Sequence, residues 1–126
     1  MPIQTQRLYE QVLDELRDRL VSELGAKIEA IVVYGSVARR EADEDSDIDV
    51  LIVSQQKRAI YDHAARIRSE IDLKHETMTT LTYLTPEEIH YGLDKGEPFV
   101  REVLREGKAI YGEAKFRGYR RALQAS

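Results

Sequence analysis

The chain has 126 residues, 42% of them apolar and 33% charged, with no cysteine and a net charge of -4. A single domain over residues 1–126 is expected, long enough to bury a core without disulfide staples. Composition excludes a disulfide framework, a thiolate site and any apolar run of the roughly 20 residues needed to span a membrane.

Met1-Pro2-Ile3-Gln4 lacks the basic start and apolar stretch of a signal peptide, so a cytoplasmic location is expected. An acidic chain is not favoured as a nucleic-acid platform. Charge is uneven, however. Six carboxylates fall between Glu41 and Asp49, and four cations between Lys115 and Arg121.

Taken in chain order, Leu8, Val12, Leu13, Leu16, Leu20 and Leu24 recur at three- and four-residue spacing, which predicts an amphipathic helix over 6–24 ended by Gly25. Ile28 to Tyr34 is a β-branched run too short for a helix and reads as a strand. Ser36 to Arg40 reads as a short helical turn, Glu41 to Ser46 as a polar loop, and Ile48 to Val53 as a second strand. Ile60, Tyr61, Ala64, Ile67 and Ile71 predict a helix over 57–73. Thr77 to Leu84, rich in threonine, reads as a third, half-exposed strand.

Thr85-Pro86-Glu87-Glu88 has the form of a capping box with proline at the first helical position, opening a helix to about Asp94. Pro98 opens another, which closes at Gly107. Ala109-Ile110-Tyr111 suggests a short extra strand, and the basic stretch Lys115–Arg121 reads as a solvated, partly frayed end. The fold class is a small mixed α/β (α+β) domain, a mixed sheet flanked by helices.

Residues 35 to 49 carry the chemistry. Gly35 and Ser36 leave the first strand. Gly35 has no Cβ, so a triphosphate can approach its backbone, and Ser36 offers a hydroxyl and exposed N–H groups to anionic oxygens. A plain serine-capped turn is the simpler account of that pair alone. Arg39 follows on the same side of the turn. Asp47 and Asp49, two apart at the head of a strand, leave one face together. Asp49 lies between Ile48 and Val50 in an apolar strand, where a charge calls for a partner or a metal, and oxygen-only ligation suits magnesium. His63, His75 and His90 show no metal spacing, and Tyr34 and Tyr83 are expected in the core.

Strand, Gly-Ser, ten residues, Asp-Ile-Asp, strand: over residues 33–53 this resembles the signature of the polymerase-β-type nucleotidyltransferase superfamily, in its small stand-alone branch, the minimal nucleotidyltransferases. Gly-Glu-Pro-Phe near residue 98 and Arg-Glu-Gly-Lys-Ala-Ile-Tyr-Gly at 105–112 also resemble the ends of such proteins. The resemblance implies that Gly35 and Ser36 hold the triphosphate and that Asp47 and Asp49 bind Mg2+; Arg39, by its place on the turn, is a further candidate for the nucleotide. It further implies attack of an acceptor hydroxyl on the α-phosphorus of a nucleoside triphosphate, ATP in the first instance. It suggests an antitoxin that adenylylates a partner protein, a HEPN-type ribonuclease; self-association into a homo-oligomer is compatible with it.

Active members carry a third carboxylate on the later strand, and here Thr77–Leu84 has none. Glu76, just before that strand, is the candidate substitute. Asp72 reads as a charge near the end of the preceding helix. The alternative is a weak or inactive nucleotide-binding module that neutralises its partner by contact.

Overall fold

The computed structural model describes residues 2–125. Its elements run α1 (Pro2–Leu24), β1 (Ala30–Tyr34), α2 (Gly35–Ala38), β2 (Ile48–Val53), α3 (Lys57–His75), β3 (Thr79–Leu84), α4 (Pro86–Lys95), α5 (Pro98–Glu106), β4 (Lys108–Tyr111) and α6 (Glu113–Ala125), with a 3₁₀ turn at Gly25–Lys27. The mixed α/β class expected from the sequence is the one observed.

The strands form one four-stranded sheet in the order β3-β2-β1-β4. β1 is antiparallel to β2 and β4, while β2 is parallel to β3. Helices cover both faces, which is why β1 is apolar throughout instead of alternating. Ile31 and Val33 pack with Ile48, Val50 and Ile52 under α1 and α3. Ala30, Val32, Leu51 and Val53 pack under α4, α5 and α6. Because side chains alternate, Asp47 and Asp49 belong to the face of Leu51 and Val53, beyond the end of the α4–α5 layer.

Thr85 accepts from Glu88 N at 3.1 Å, and Glu88 accepts from Thr85 N at 2.8 Å, so the capping box forms as the sequence predicts. Two expectations need correction. Helix α1 begins at Pro2, four residues before the apolar periodicity announces it. The basic C-terminal stretch is not a frayed tail: it is α6, which buries Phe116 and Tyr119. Arg120 anchors it, donating to the carbonyls of Leu104 at 2.9 Å and Gly107 at 2.7 Å. Its charges hid an apolar stripe at i, i+3.

Candidate active site

β1 delivers the chain into α2 at Gly35, whose φ of 72° lies in the left-handed region. The Tyr34↔Asp49 register places Asp49 beside this turn. A Cβ added to Gly35 would overlap Asp49 Oδ2 and lie 3.2 Å from its Cγ. Glycine is therefore required here by the aspartate and by the backbone. The sequence points to glycine here for phosphate access; the structure adds a second reason, the Asp49 carboxylate beside it.

Ser36 is half-buried in the first turn of α2. The loop behind it is held from α1. Gln6 Nε2 donates to Val37 O at 3.1 Å. The Tyr9 hydroxyl shares its proton between the carbonyls of Asp43 (3.3 Å) and Ser46 (3.1 Å). Asp43 in turn accepts from Asp45 N at 2.9 Å, which spends its carboxylate on the turn. Arg40, in the left-handed region at φ 59°, pairs with Glu10 at 2.8 Å. Burial, then the acidic loop led by Asp43, pushes the Tyr9 hydroxyl up and keeps it a donor.

Asp47 is exposed and Asp49 half-buried. Neither carboxylate accepts a hydrogen bond or forms an ion pair among the described residues. Burial raises the Asp49 carboxyl, Asp47 raises it further, and Arg39 opposes both. Two unpartnered carboxylates, one partly desolvated, fit a hard divalent cation. Among the described residues no set of three His, Cys, Asp or Glu side chains gathers to hold a metal.

The placement of the remaining candidates explains that. On β3 the residue in register with Asp49 is Thr80. Glu76 is exposed in the left-handed position that ends α3, with φ 56°. It lies two residues before Met78, whose carbonyl accepts from Ile48 N at 2.9 Å, and so at the Asp47 end of the sheet. Asp72 turns the other way, accepting from Thr77 Oγ1 at 2.7 Å and from Thr79 N and Oγ1 at 2.8 Å.

Arg39 pairs with Glu41 at 3.4 Å and with Glu106 of α5 at 3.2 Å. It lines a cleft of about 180 Å³ with Tyr34, Gly35, Phe99, Glu102, Val103 and Glu106. Pockets that bury a whole small ligand measure about 300–1,000 Å³, so a nucleotide seated here would lie partly in the open. Tyr34 is no plain core residue. Its ring meets Phe99 edge-on at 5.4 Å, and its hydroxyl crosses β2 to Thr82 Oγ1 at 3.1 Å. Sequence reasoning missed Phe99, Glu102 and Glu106 at this cleft; the i, i+4 pair of acids on a short helix was the available signal.

A larger cavity of about 470 Å³ lies at the α3–β3 edge, and neither Asp47 nor Asp49 lines it. His63 meets Glu23 at 2.6 Å, His75 meets Glu15 at 3.1 Å, and the His90 ring meets Tyr119 edge-on at 5.7 Å. No helix among the described residues is long and apolar enough to cross a membrane.

Residues 15–116 match the family model described as polymerase beta, nucleotidyltransferase. Two proteins of Methanocaldococcus jannaschii, both named as protein adenylyltransferases, are similar in sequence. One is 28% identical over 102 residues, covering 81% of this chain and 97% of its own length. The other is 27% identical over 70 residues, covering 54% and 71%. Among solved structures, a toxin–antitoxin with AMP-PNP superposes with a TM-score of 0.58 at 14% identity, covering 87% of this chain and 82% of the other. A Sulfolobus solfataricus chain described as a nucleotidyltransferase gives 0.54 at 17% identity, covering 90% and 89%. At those identities the structural likeness concerns the fold.

Proposed function

This chain belongs to the polymerase-β nucleotidyltransferase family, and on that premise we propose that it transfers AMP from ATP to a hydroxyl of a partner protein, as the antitoxin of a pair with a HEPN-type toxin. The observation that carries this is the pair of carboxylates, Asp47 and Asp49, without a partner among the described residues, the second of them packed against Gly35. The relatives named as protein adenylyltransferases, and the similar fold of a toxin–antitoxin with AMP-PNP, support the same reading.

Asp47 and Asp49 would hold Mg2+, which when bound neutralises charge on the transferring phosphoryl group. Ser36 offers its hydroxyl to the triphosphate. Arg39 offers its guanidinium once Glu41 and Glu106 release it. Tyr34 and Phe99 wall the cleft and exclude water from one side. The acceptor oxygen attacks the α-phosphorus, the bond to the β-phosphate oxygen breaks, and pyrophosphate leaves. Glu76, at the Asp47 end of the sheet, is assigned the acceptor's proton. Catalysis then rests on positioning and electrostatics more than on covalent chemistry.

A second reading has its own observation. Thr79, Thr80 and Thr82 leave β3 without an acid, which favours a nucleotide-binding antitoxin that acts through complex formation alone. Both readings require ATP to bind with magnesium. Calorimetry should show magnesium-dependent ATP binding that is lost in Asp47→Ala and Asp49→Ala while circular dichroism stays native. Binding indifferent to magnesium and to both substitutions would overturn the site.

A further inference from the structure

β3 is an edge strand with β2 as its sole neighbour in the sheet. Ile48 N–H donates to Met78 O at 2.9 Å and Ser54 N–H to Leu84 O at 3.0 Å. In a parallel ladder that phase turns the peptide groups of Thr80 and Thr82 toward β2 and those of Thr79, Leu81 and Tyr83 outward. Of this outer row Thr79 N–H is taken by Asp72 Oδ2 at 2.8 Å. The N–H and C=O groups of Leu81 and Tyr83 have no protein partner among the described residues.

Beyond Asp72 at Thr79 N–H, the edge lacks the usual protections. Thr79–Leu84 contains no charge and no proline, the devices that keep sheet edges from pairing. Exposed apolar side chains collect around it: Tyr61 (55% exposed) and Leu73 (83%) on α3, and Met78 (66%) at the head of the strand. The cavity of about 470 Å³ opens here, between Tyr61 and Tyr83, and the buried Tyr83 hydroxyl has no hydrogen-bond partner.

We propose that β3 pairs with β3 of a second copy of this chain, antiparallel about a two-fold axis at Leu81. The occupant follows from the sequence of the edge itself. Outward from Leu81, the two-fold sets Thr80 opposite Thr82, Thr79 opposite Tyr83, Met78 opposite Leu84 and Thr77 opposite Thr85. Every position meets a partner of matching or compatible chemistry, and no charge faces a charge. Such self-complementarity is what an isologous interface requires. The outward peptide groups agree with it. Leu81 N–H and C=O close a reciprocal pair on the axis, and Tyr83 N–H finds the free Thr79 C=O on either side. Full pairing also turns the Tyr83 C=O of the other copy toward Thr79 N–H, so the Asp72 carboxylate gives up that N–H and keeps its bonds to the Thr77 and Thr79 hydroxyls. Two four-stranded sheets become one, with both α3 helices on the same face.

The absence of native cysteine permits a register-specific test. Sedimentation velocity should find the 126-residue chain dimeric at micromolar concentration. Thr80→Cys and Thr82→Cys, each alone, place the thiol opposite a threonine and should stay uncrosslinked under mild oxidation. Mixed, they should form an intermolecular disulfide at least roughly tenfold more efficiently, since only that pair meets disulfide geometry. Leu81→Pro removes an outward N–H that β2 does not use and should give a folded monomer. A wild-type chain that remains monomeric leaves the edge to a strand of some other protein and overturns the proposal. So does a dimer whose mixed cysteine variants crosslink no better than either alone, a readout independent of how Leu81→Pro folds.

Discussion

Asp49 occupies the space that a side chain at residue 35 would need. Its Oδ2 overlaps the Cβ position of Gly35, which already sits at a positive φ of 72°. The strand proposed to hold metal and the turn proposed to face phosphate are thus one fitted unit. Gly35→Ala should cost about 1–3 kcal/mol, from the left-handed backbone and the displaced carboxylate. It should weaken magnesium-dependent ATP binding in parallel. Urea denaturation and calorimetry on the same protein check both. Normal binding with lowered stability would mean that Asp49 can move without consequence.

The Asp49 carboxyl is raised, chiefly by burial and then by Asp47. Its folded form holds a proton to higher pH than the unfolded form. This group's contribution to stability is full below its ordinary value of 3.8 and is lost as pH rises through the raised value. At neutral pH the ionised pair is a liability without metal. Asp49→Asn should therefore stabilise the metal-free chain at pH 7, by up to about 1 kcal/mol, the scale of one like-charge pair in water. Magnesium should stabilise the wild type and not the variant. A variant less stable than wild type in chelator would contradict this electrostatic account.

Two substitutions locate the missing acid. Glu76→Gln should abolish transfer and spare ATP binding if Glu76 takes the acceptor's proton; full-rate transfer would make it a surface charge. Thr80 stands in register with Asp49, so Thr80→Asp places a carboxylate on β3 beside the pair. Single-turnover transfer should rise at least roughly tenfold, the low end of what a positioned acid–base group contributes being higher still. No gain, with fold and magnesium binding intact, would show that β3 is not where an acid is lacking.

Arg39 is held by Glu41 and Glu106 at the cleft. If it must leave them to meet phosphate, Glu106→Gln should tighten ATP binding by roughly two- to fivefold, because partly exposed ion pairs are worth about 0.2–1 kcal/mol. Arg39→Ala should weaken it. Titration of ATP into both variants decides, and weaker binding by Glu106→Gln would make the pair part of the site's scaffold.

Much of this arrangement was legible in the chain. The Asp-Ile-Asp spacing and the Gly-Ser turn marked the two halves of the candidate site, helix periodicity marked α1 and α3, and the capping box marked α4. Contacts between distant segments were not legible. Nothing near Tyr9 says that its hydroxyl holds the loop at Asp43 and Ser46, 34 and 37 residues away. That Gly35 must also leave room for Asp49 was hidden because the two are joined only by strand pairing. The C-terminal helix was obscured because four cations surround its buried Phe116 and Tyr119.

The most direct test of the central claim is label transfer. The chain is incubated with magnesium, ATP labelled at the α-phosphate and the protein encoded by the adjacent gene. Transfer of the label to that protein, lost in Asp47→Ala and in Asp49→Ala, is the predicted result. A tight complex with no label on the partner, unchanged by either substitution, would contradict it.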